Sequence, residues 1–184
     1  MEHVTLTTRR LLLRPLEPLD TEAVFLACQD PDIQRWTTIP SPYERQHAEY
    51  FLERVVPEGL RSRTMFHFAV EPRSGGPLLA SVNVHNHTGT WEVGYWTVKE
   101  HRGHGYATEA VGAIARWAFG ALGVQRLEWR AEAGNEGSRT VAEKAGFVFE
   151  GVLRAALMTR DTVRDVWIGA LLPSDLGPSS ADAA

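Results

Sequence analysis

Between Trp91 and Leu122 the chain changes its hydrophobic period once, and that change constrains the whole fold. Trp91 to Val98 is strand-like, and Arg102-Gly103-His104-Gly105 then breaks the pattern. Beyond the break, Ala107, Ala110, Val111, Ile114, Ala115, Ala118, Phe119 and Leu122 recur at i, i+3, i+4, i+7, i+8 and onward, a single helical stripe. Gly123 supplies the stop, and Arg126 to Glu132 reads as the next strand. A strand, a helix and a strand in this order make a crossover unit whose two strands run parallel with a right-handed connection.

The remaining segments must pack around that unit. Thr5 to Pro15 is strand-like, with Leu6, Leu11 and Leu13 interleaved with Thr and Arg. Leu19 to Gln29 reads as a helix, and Tyr43 to Val56 as a second helix closed by Pro57. Met65 to Glu71 and Leu78 to His85 form an antiparallel pair across Arg73-Ser74-Gly75-Gly76-Pro77. Asn135 to Ala145 is a short helix ending at Gly146. Phe147 to Met158 and Val163 to Leu172 are the closing hairpin, turning at Thr159 to Thr162. The expectation is one α/β domain over residues 1–173, with a mixed, mostly antiparallel sheet of about seven strands, four helices and one central parallel β-α-β crossover. Residues 174–184 read as a disordered tail.

Bulk properties exclude several function classes. At 184 residues, 43% apolar and 23% charged, the chain has the make-up of an ordinary globular domain. Its net charge of −4, without a basic block, argues against nucleic acid as a partner. No apolar run approaches the roughly 20 residues that cross a bilayer, and Met-Glu-His-Val-Thr lacks the start of a signal peptide, so no membrane partner and a cytoplasmic location are expected. The single cysteine, Cys28, lies on an apolar helix face and reads as core rather than nucleophile.

The strand–turn–helix break is the place for chemistry. The first backbone N–H groups of a helix have no internal partner, and the helix dipole adds positive charge there, so this end attracts phosphate. Gly103 and Gly105 remove Cβ atoms where an anion must approach the main chain. Neither G-x-x-x-x-G-K-[ST] nor the dinucleotide fingerprint is present, because position 108 is Thr.

Arg102-x-x-Gly105-x-Ala107 resembles the acyl-CoA signature [QR]-x-x-G-x-[GA] of the GCN-related N-acetyltransferase (GNAT) superfamily. The longer run from Val93 to Ala110 is similar to the branch typified by the ribosomal-protein acetyltransferases RimJ and RimL. Asn135-Glu136-Gly137-Ser138, Glu143 to Phe147 with Glu150-Gly151, and the opening Thr8 to Pro15 match further blocks of that branch. The resemblance implies acetyl-CoA as co-substrate, no metal, an amine acceptor (a protein N-terminus or a small molecule), and a homodimer. It places the pyrophosphate on the backbone N–H groups of Gly103, His104, Gly105, Tyr106, Ala107 and Thr108 beside Arg102. It pairs the pantetheine arm with main-chain groups around Val98 and with Asn135, and it lines the acceptor cleft with Trp36 and Tyr43.

Acyl transfer to an amine needs a deprotonated nucleophile and a stabilised leaving thiolate. Many relatives supply a tyrosine seven residues after the asparagine, but position 142 here is Ala. The branch has serine instead, here Ser138, which is the expected thiolate donor. Glu92 is the first choice of base, on the same side of its strand as Trp96, with Glu128 and Glu132 on the next strand as rivals. His85-Asn86-His87 offers two imidazoles without a third ligand, so no metal site is assigned. The expected activity is acetyl transfer from acetyl-CoA to a primary amine. The alternatives are another acyl group such as succinyl, a small-molecule or antibiotic amine, and a non-catalytic acyl-CoA-binding module.

Overall fold

A computed structural model describes residues 4–87 and 89–176. Among them the strands β1 (Leu6–Thr7), β2 (Leu11–Pro15), β3 (Met65–Pro72), β4 (Ala80–His87), β5 (Thr90–Thr97), β6 (Leu127–Glu132), β7 (Val148–Thr159) and β8 (Thr162–Leu171) form one sheet in the order β1-β2-β3-β4-β5-β6-β8-β7. Its single parallel pair is β5 with β6, and every other pair is antiparallel. The helix α5 (Tyr106–Ala121) makes the crossover between those two strands, as the change of period requires. Its stripe from Ala107 through Ala118 is buried against the sheet, together with Trp129 of β6 and Leu127. The helix α6 (Glu136–Lys144) closes the same face.

The opposite face carries α1 (Thr21–Ala27), α2 (Pro31–Trp36), α3 (Arg45–Tyr50) and α4 (Val56–Ser62). Leu16, Val24, Cys28, Tyr43, Ala48 and Leu52 form a second core there, with Trp96 of β5 packed against it. Strict alternation along β5 explains the division: Val93 faces the α5 core and Trp96 faces the α1–α4 core.

Four expectations need correction. The opening strand is two strands, because Thr8 N–H donates to the Leu11 carbonyl at 2.9 Å and folds the segment into a hairpin, giving eight strands rather than seven among the described residues. Pro57 does not close a helix. The ladder slips into a π-helical turn over Phe51–Val55, Val56 N–H donates to the Phe51 carbonyl, and Pro57 falls in the first turn of α4, where a missing N–H costs nothing. Pro31–Trp36 is an additional helix, with Asp30 accepting from Asp32 N–H as its cap and Pro31 at its start. Of the segment expected as a tail, Pro173–Asp175 is instead a 3₁₀ turn and Leu176 packs against the core, while 177–184 lie outside the described residues.

Gly169 marks the tightest point of the β7–β8 hairpin. A Cβ there would stand 2.7 Å from the Val148 carbonyl oxygen and 3.4 Å from the Trp129 ring. Gly169→Ala should therefore lower unfolding free energy by about 1–3 kcal/mol, measured as a shift in the urea midpoint without change of slope.

Candidate active site

The parallel ladder is short. β5 and β6 pair only at Trp91↔Leu127, Glu92↔Glu128 and Val93↔Trp129, although β5 runs on to Thr97 and β6 to Glu132. Each strand stays hydrogen-bonded to its outer neighbour, β5 to β4 as far as Thr97 and β6 to β8 as far as Glu132. A wedge therefore opens beyond Val93 and Trp129, with main-chain groups turned into it. Val98 does not supply its N–H to that wedge, since it donates to the Leu79 carbonyl at 2.9 Å. By alternation the groups facing the gap belong to Tyr95 and Thr97.

At the wide end of the wedge sits the glycine loop. A 3₁₀ turn, Lys99–His101, leads to Arg102, and then Gly103 and Gly105 adopt φ of +80° and +77°, which is what fixes glycine at both positions. Gly105 is the N-cap of α5 and provides no side-chain cap, so the first-turn N–H groups of Tyr106, Ala107 and Thr108 remain for an anion. A Cβ on Gly103 would meet open space, in keeping with a loop whose main chain is approachable. His104 stacks on Tyr106 with centroids 5.6 Å apart.

Two arginines hold the loop, and they do so differently. The Arg102 guanidinium turns away from the glycines to Asp30, to Asp32 at 3.1 Å and to the Thr97 carbonyl at 3.3 Å, fastening the loop to the start of α2. Arg10 bonds Glu109 of α5 at 2.6 Å and the His104 carbonyl at 3.0 Å, and lies 4.9 Å over the Tyr106 ring. It brings a cation to the phosphate-attracting end of α5; the opening block Thr8 to Pro15 contains it, but its partners are about 100 residues away and local pattern does not reveal them.

At the narrow end, the Asn135 side chain accepts from Ser138 N–H at 3.1 Å and caps α6. Ser138 Oγ accepts from Trp129 Nε1 at 2.9 Å and donates to Tyr95 Oη at 3.1 Å. Tyr95 Oη in turn donates to the Ser138 carbonyl at 2.7 Å. Tyr95 is a residue that sequence reasoning missed, although its alternation with Val93 placed it on the α6 side.

The three glutamates differ in their neighbours. Glu128 is shared by Arg126 at 3.1 Å and Arg130 at 2.8 Å. Glu132 is held by Arg35 at 2.7 Å, whose bonds keep its carboxyl below the usual range against the effect of burial, with Arg164 and Arg160 adding. Glu92, opposite His85 in the β4–β5 register, has only long-range company: Arg130 Nε at 3.7 Å and His85 Nε2 at 4.0 Å. Burial pushes its carboxyl up to about 7, opposed by Arg130 and assisted by Glu128. Burial likewise draws His85 down to about 4, so that imidazole stays neutral beside it. Glu92 is the carboxylate poised to take a proton near neutral pH.

On the same face a cavity of about 270 Å³ lies between α1, α3 and the segment after α2, with Trp96, Ile39, Tyr43 and Tyr50 among its lining. Tyr43 thus belongs to it, whereas Trp36 stands apart under the Arg35 guanidinium at 4.2 Å, near Gly134. The β7–β8 turn reaches the same segment, where Arg160 bonds the Gln34 and Ile39 carbonyls. Cys28 lines the cavity but is no nucleophile, because burial pushes its thiol up to about 12.

Residues 10–148 match the acetyltransferase (GNAT) domain. The chain is 27% identical to YoaA, an uncharacterized N-acetyltransferase of Bacillus subtilis (strain 168), over 87% of this chain and 92% of that protein. It is 31% identical to the ribosomal-protein-serine acetyltransferase of Escherichia coli (strain K12) over 42% of this chain and 43% of that one. Mycobacterium smegmatis RimJ in complex with CoA-disulfide superposes with a TM-score of 0.80 at 24% identity, covering 98% of this chain and 91% of that structure. The wedge, the glycine loop and the matched domain agree: the chain belongs to the GNAT acetyltransferase family and is an N-acetyltransferase.

Two measurements probe this site. Gly105→Val puts a β-branched residue at a φ of +77° and should abolish acetyl-CoA binding by calorimetry while circular dichroism stays native. Glu92→Gln should raise the melting temperature, and only at higher pH. A carboxyl whose folded-state pKa is raised disfavours the fold once the unfolded chain ionises, so the cost is absent below the unfolded value of about 4.3 and complete above about 7. The mutant's advantage should accordingly appear between those limits and persist at pH 8, measured by thermal melts across pH.

Proposed function

We propose that the protein transfers the acetyl group of acetyl-CoA to a primary amine, with the α-amine of a polypeptide N-terminus as acceptor. The weakly paired, partly buried Glu92 carries this reading. An α-ammonium group with a pKa of about 7.7–8.0 passes its proton to a carboxylate near 7 at a cost of about 1 kcal/mol. A lysine-like ammonium near 10.4 would cost about 4–5 kcal/mol. The name of the E. coli relative, a ribosomal-protein-serine acetyltransferase, supports a protein acceptor.

The residues fit the co-substrate by their own geometry. Main-chain N–H groups from Gly103 to Thr108, beside Arg10, would bind the pyrophosphate. The gap-facing groups of Tyr95 and Thr97 would pair with the pantetheine arm on one side, and Asn135 would meet it on the other. Acetyl-CoA brings an activated thioester carbonyl, so no covalent enzyme intermediate is required. Glu92 accepts the amine proton and Ser138 donates a hydrogen bond to the departing thiolate. The cavity beside Trp96 and Tyr43 receives the group attached to the amine.

CoA-thiol release from acetyl- and succinyl-CoA, against an N-terminal peptide, a polyamine and an aminoglycoside, tests the reading. The acetyl donor with the peptide should be preferred, with kcat/KM rising through about pH 7. In Glu92→Gln that rise should move upward toward the amine's own pKa. Preference for the polycations would overturn the acceptor assignment, and an absence of turnover with every amine would leave a binding module.

A further inference from the structure

Position 142 lacks the phenol that many relatives carry, and its Ala is buried in the α5 core with 1% exposure. A phenol nevertheless reaches the first turn of α6, from β5. We propose that Tyr95 is a positioning residue that acts through Ser138, holding the serine hydroxyl in reserve and backing it when the CoA thiolate leaves. This rests on the reading of Ser138 as the thiolate donor.

The placement follows from the sheet. Tyr95 is the first residue beyond Val93 on the same face of β5, and Val93 is where pairing to β6 ends. Its hydroxyl therefore spans the narrow end of the wedge to α6. Trp129, the last residue of β6 paired to β5, approaches from the other strand.

The proton inventory defines the device. Tyr95 has one O–H, given to the Ser138 carbonyl at 2.7 Å. Ser138 has one O–H, given to Tyr95 Oη at 3.1 Å, while its oxygen accepts from Trp129 at 2.9 Å. No proton of Ser138 is free at rest. A thiolate is a stronger acceptor than a phenol oxygen, so the Ser138 O–H turns to sulfur. The Tyr95 O–H then turns from the helix carbonyl to the serine oxygen it has just lost contact with as an acceptor. Two donors on Ser138 Oγ polarise its remaining O–H toward the sulfur. No O–H bond breaks; the negative charge stays on sulfur until a proton arrives from the reacting amine. Burial pushes the Tyr95 phenol above its usual range against the opposing bonds of Ser138 and Trp129, so it remains a donor throughout.

A double-mutant cycle tests the coupling, with kcat from CoA-thiol release, acetyl-CoA affinity by calorimetry, and melting temperature. Tyr95→Phe keeps the ring and should lower kcat roughly tenfold to a hundredfold with little change in acetyl-CoA affinity. In a Ser138→Ala background, Tyr95→Phe should cost little more. Fluorotyrosine at position 95 keeps the hydroxyl and should retain the turnover that Phe loses. Full kcat in Tyr95→Phe, with only a lowered melting point, would make the network a staple between β5, β6 and α6 and overturn the proposal. Independent, multiplicative losses, or equal losses in the Phe and fluorotyrosine proteins, would also overturn it. Ser138→Ala alone at full kcat removes the underlying reading as well, and that single variant separates the two failures.

Discussion

The site depends on one interruption of a β-ladder. β5 and β6 are parallel neighbours for three residue pairs and then part, each retained by its outer antiparallel partner. Every buried peptide group needs a hydrogen-bond partner, and a gap between two strands exposes two rows of them at once. Such an opening is costly unless something fills it. On the α6 side Tyr95, Trp129 and Ser138 fill the narrow end with a closed set of hydrogen bonds. The wide end ends on the glycine loop, where unsatisfied helix N–H groups and Arg10 favour an anion. The opening is thus shaped for a long, narrow ligand with an anionic end.

Charge on the opposite face of the sheet is arranged by partner rather than by residue type. Glu92, Glu128 and Glu132 all project to that face, and two of the three are bound to arginines within 3.1 Å. An arginine bond favours an ionised carboxylate, and at Glu132 it holds the carboxyl below its usual range. Glu92 is left with contacts of 3.7 and 4.0 Å and with burial, which acts in the opposite sense. The same residue type therefore serves as fastening at two positions and, in the proposed reaction, as the proton acceptor at the third.

The loop that would hold phosphate is itself tied to both halves of the molecule. Arg102 fastens it to Asp30 and Asp32 at the start of α2, and Arg10 fastens it to Glu109 and the first hairpin. Because α2 leads into the segment lining the 270 Å³ cavity, the glycine loop and that cavity share a mechanical connection. Preorganisation of this kind reduces the ordering cost of binding.

The sequence alone determined the crossover, since only a helix of period 3.6 between two strand-like runs buries the stripe from Ala107 to Ala118. It also determined the glycine loop, and the motif around it carried the family. Glu92 and Ser138 were legible as candidates from strand alternation and from the Asn-x-x-Ser resemblance. Local signals misread Pro57, because a π turn upstream removed the conflict that proline ordinarily creates, and they passed over the short helix Pro31–Trp36. The tertiary structure decided which glutamate is only weakly paired, that Val98 gives its N–H to Leu79, and that Trp36 stands outside the cavity that Tyr43 lines. It alone joined Tyr95 to Ser138 across 43 positions and Arg10 to His104 across 94. Periodicity reports which face a residue takes within its own element, whereas pKa and hydrogen-bond partners depend on which distant elements the sheet order brings alongside.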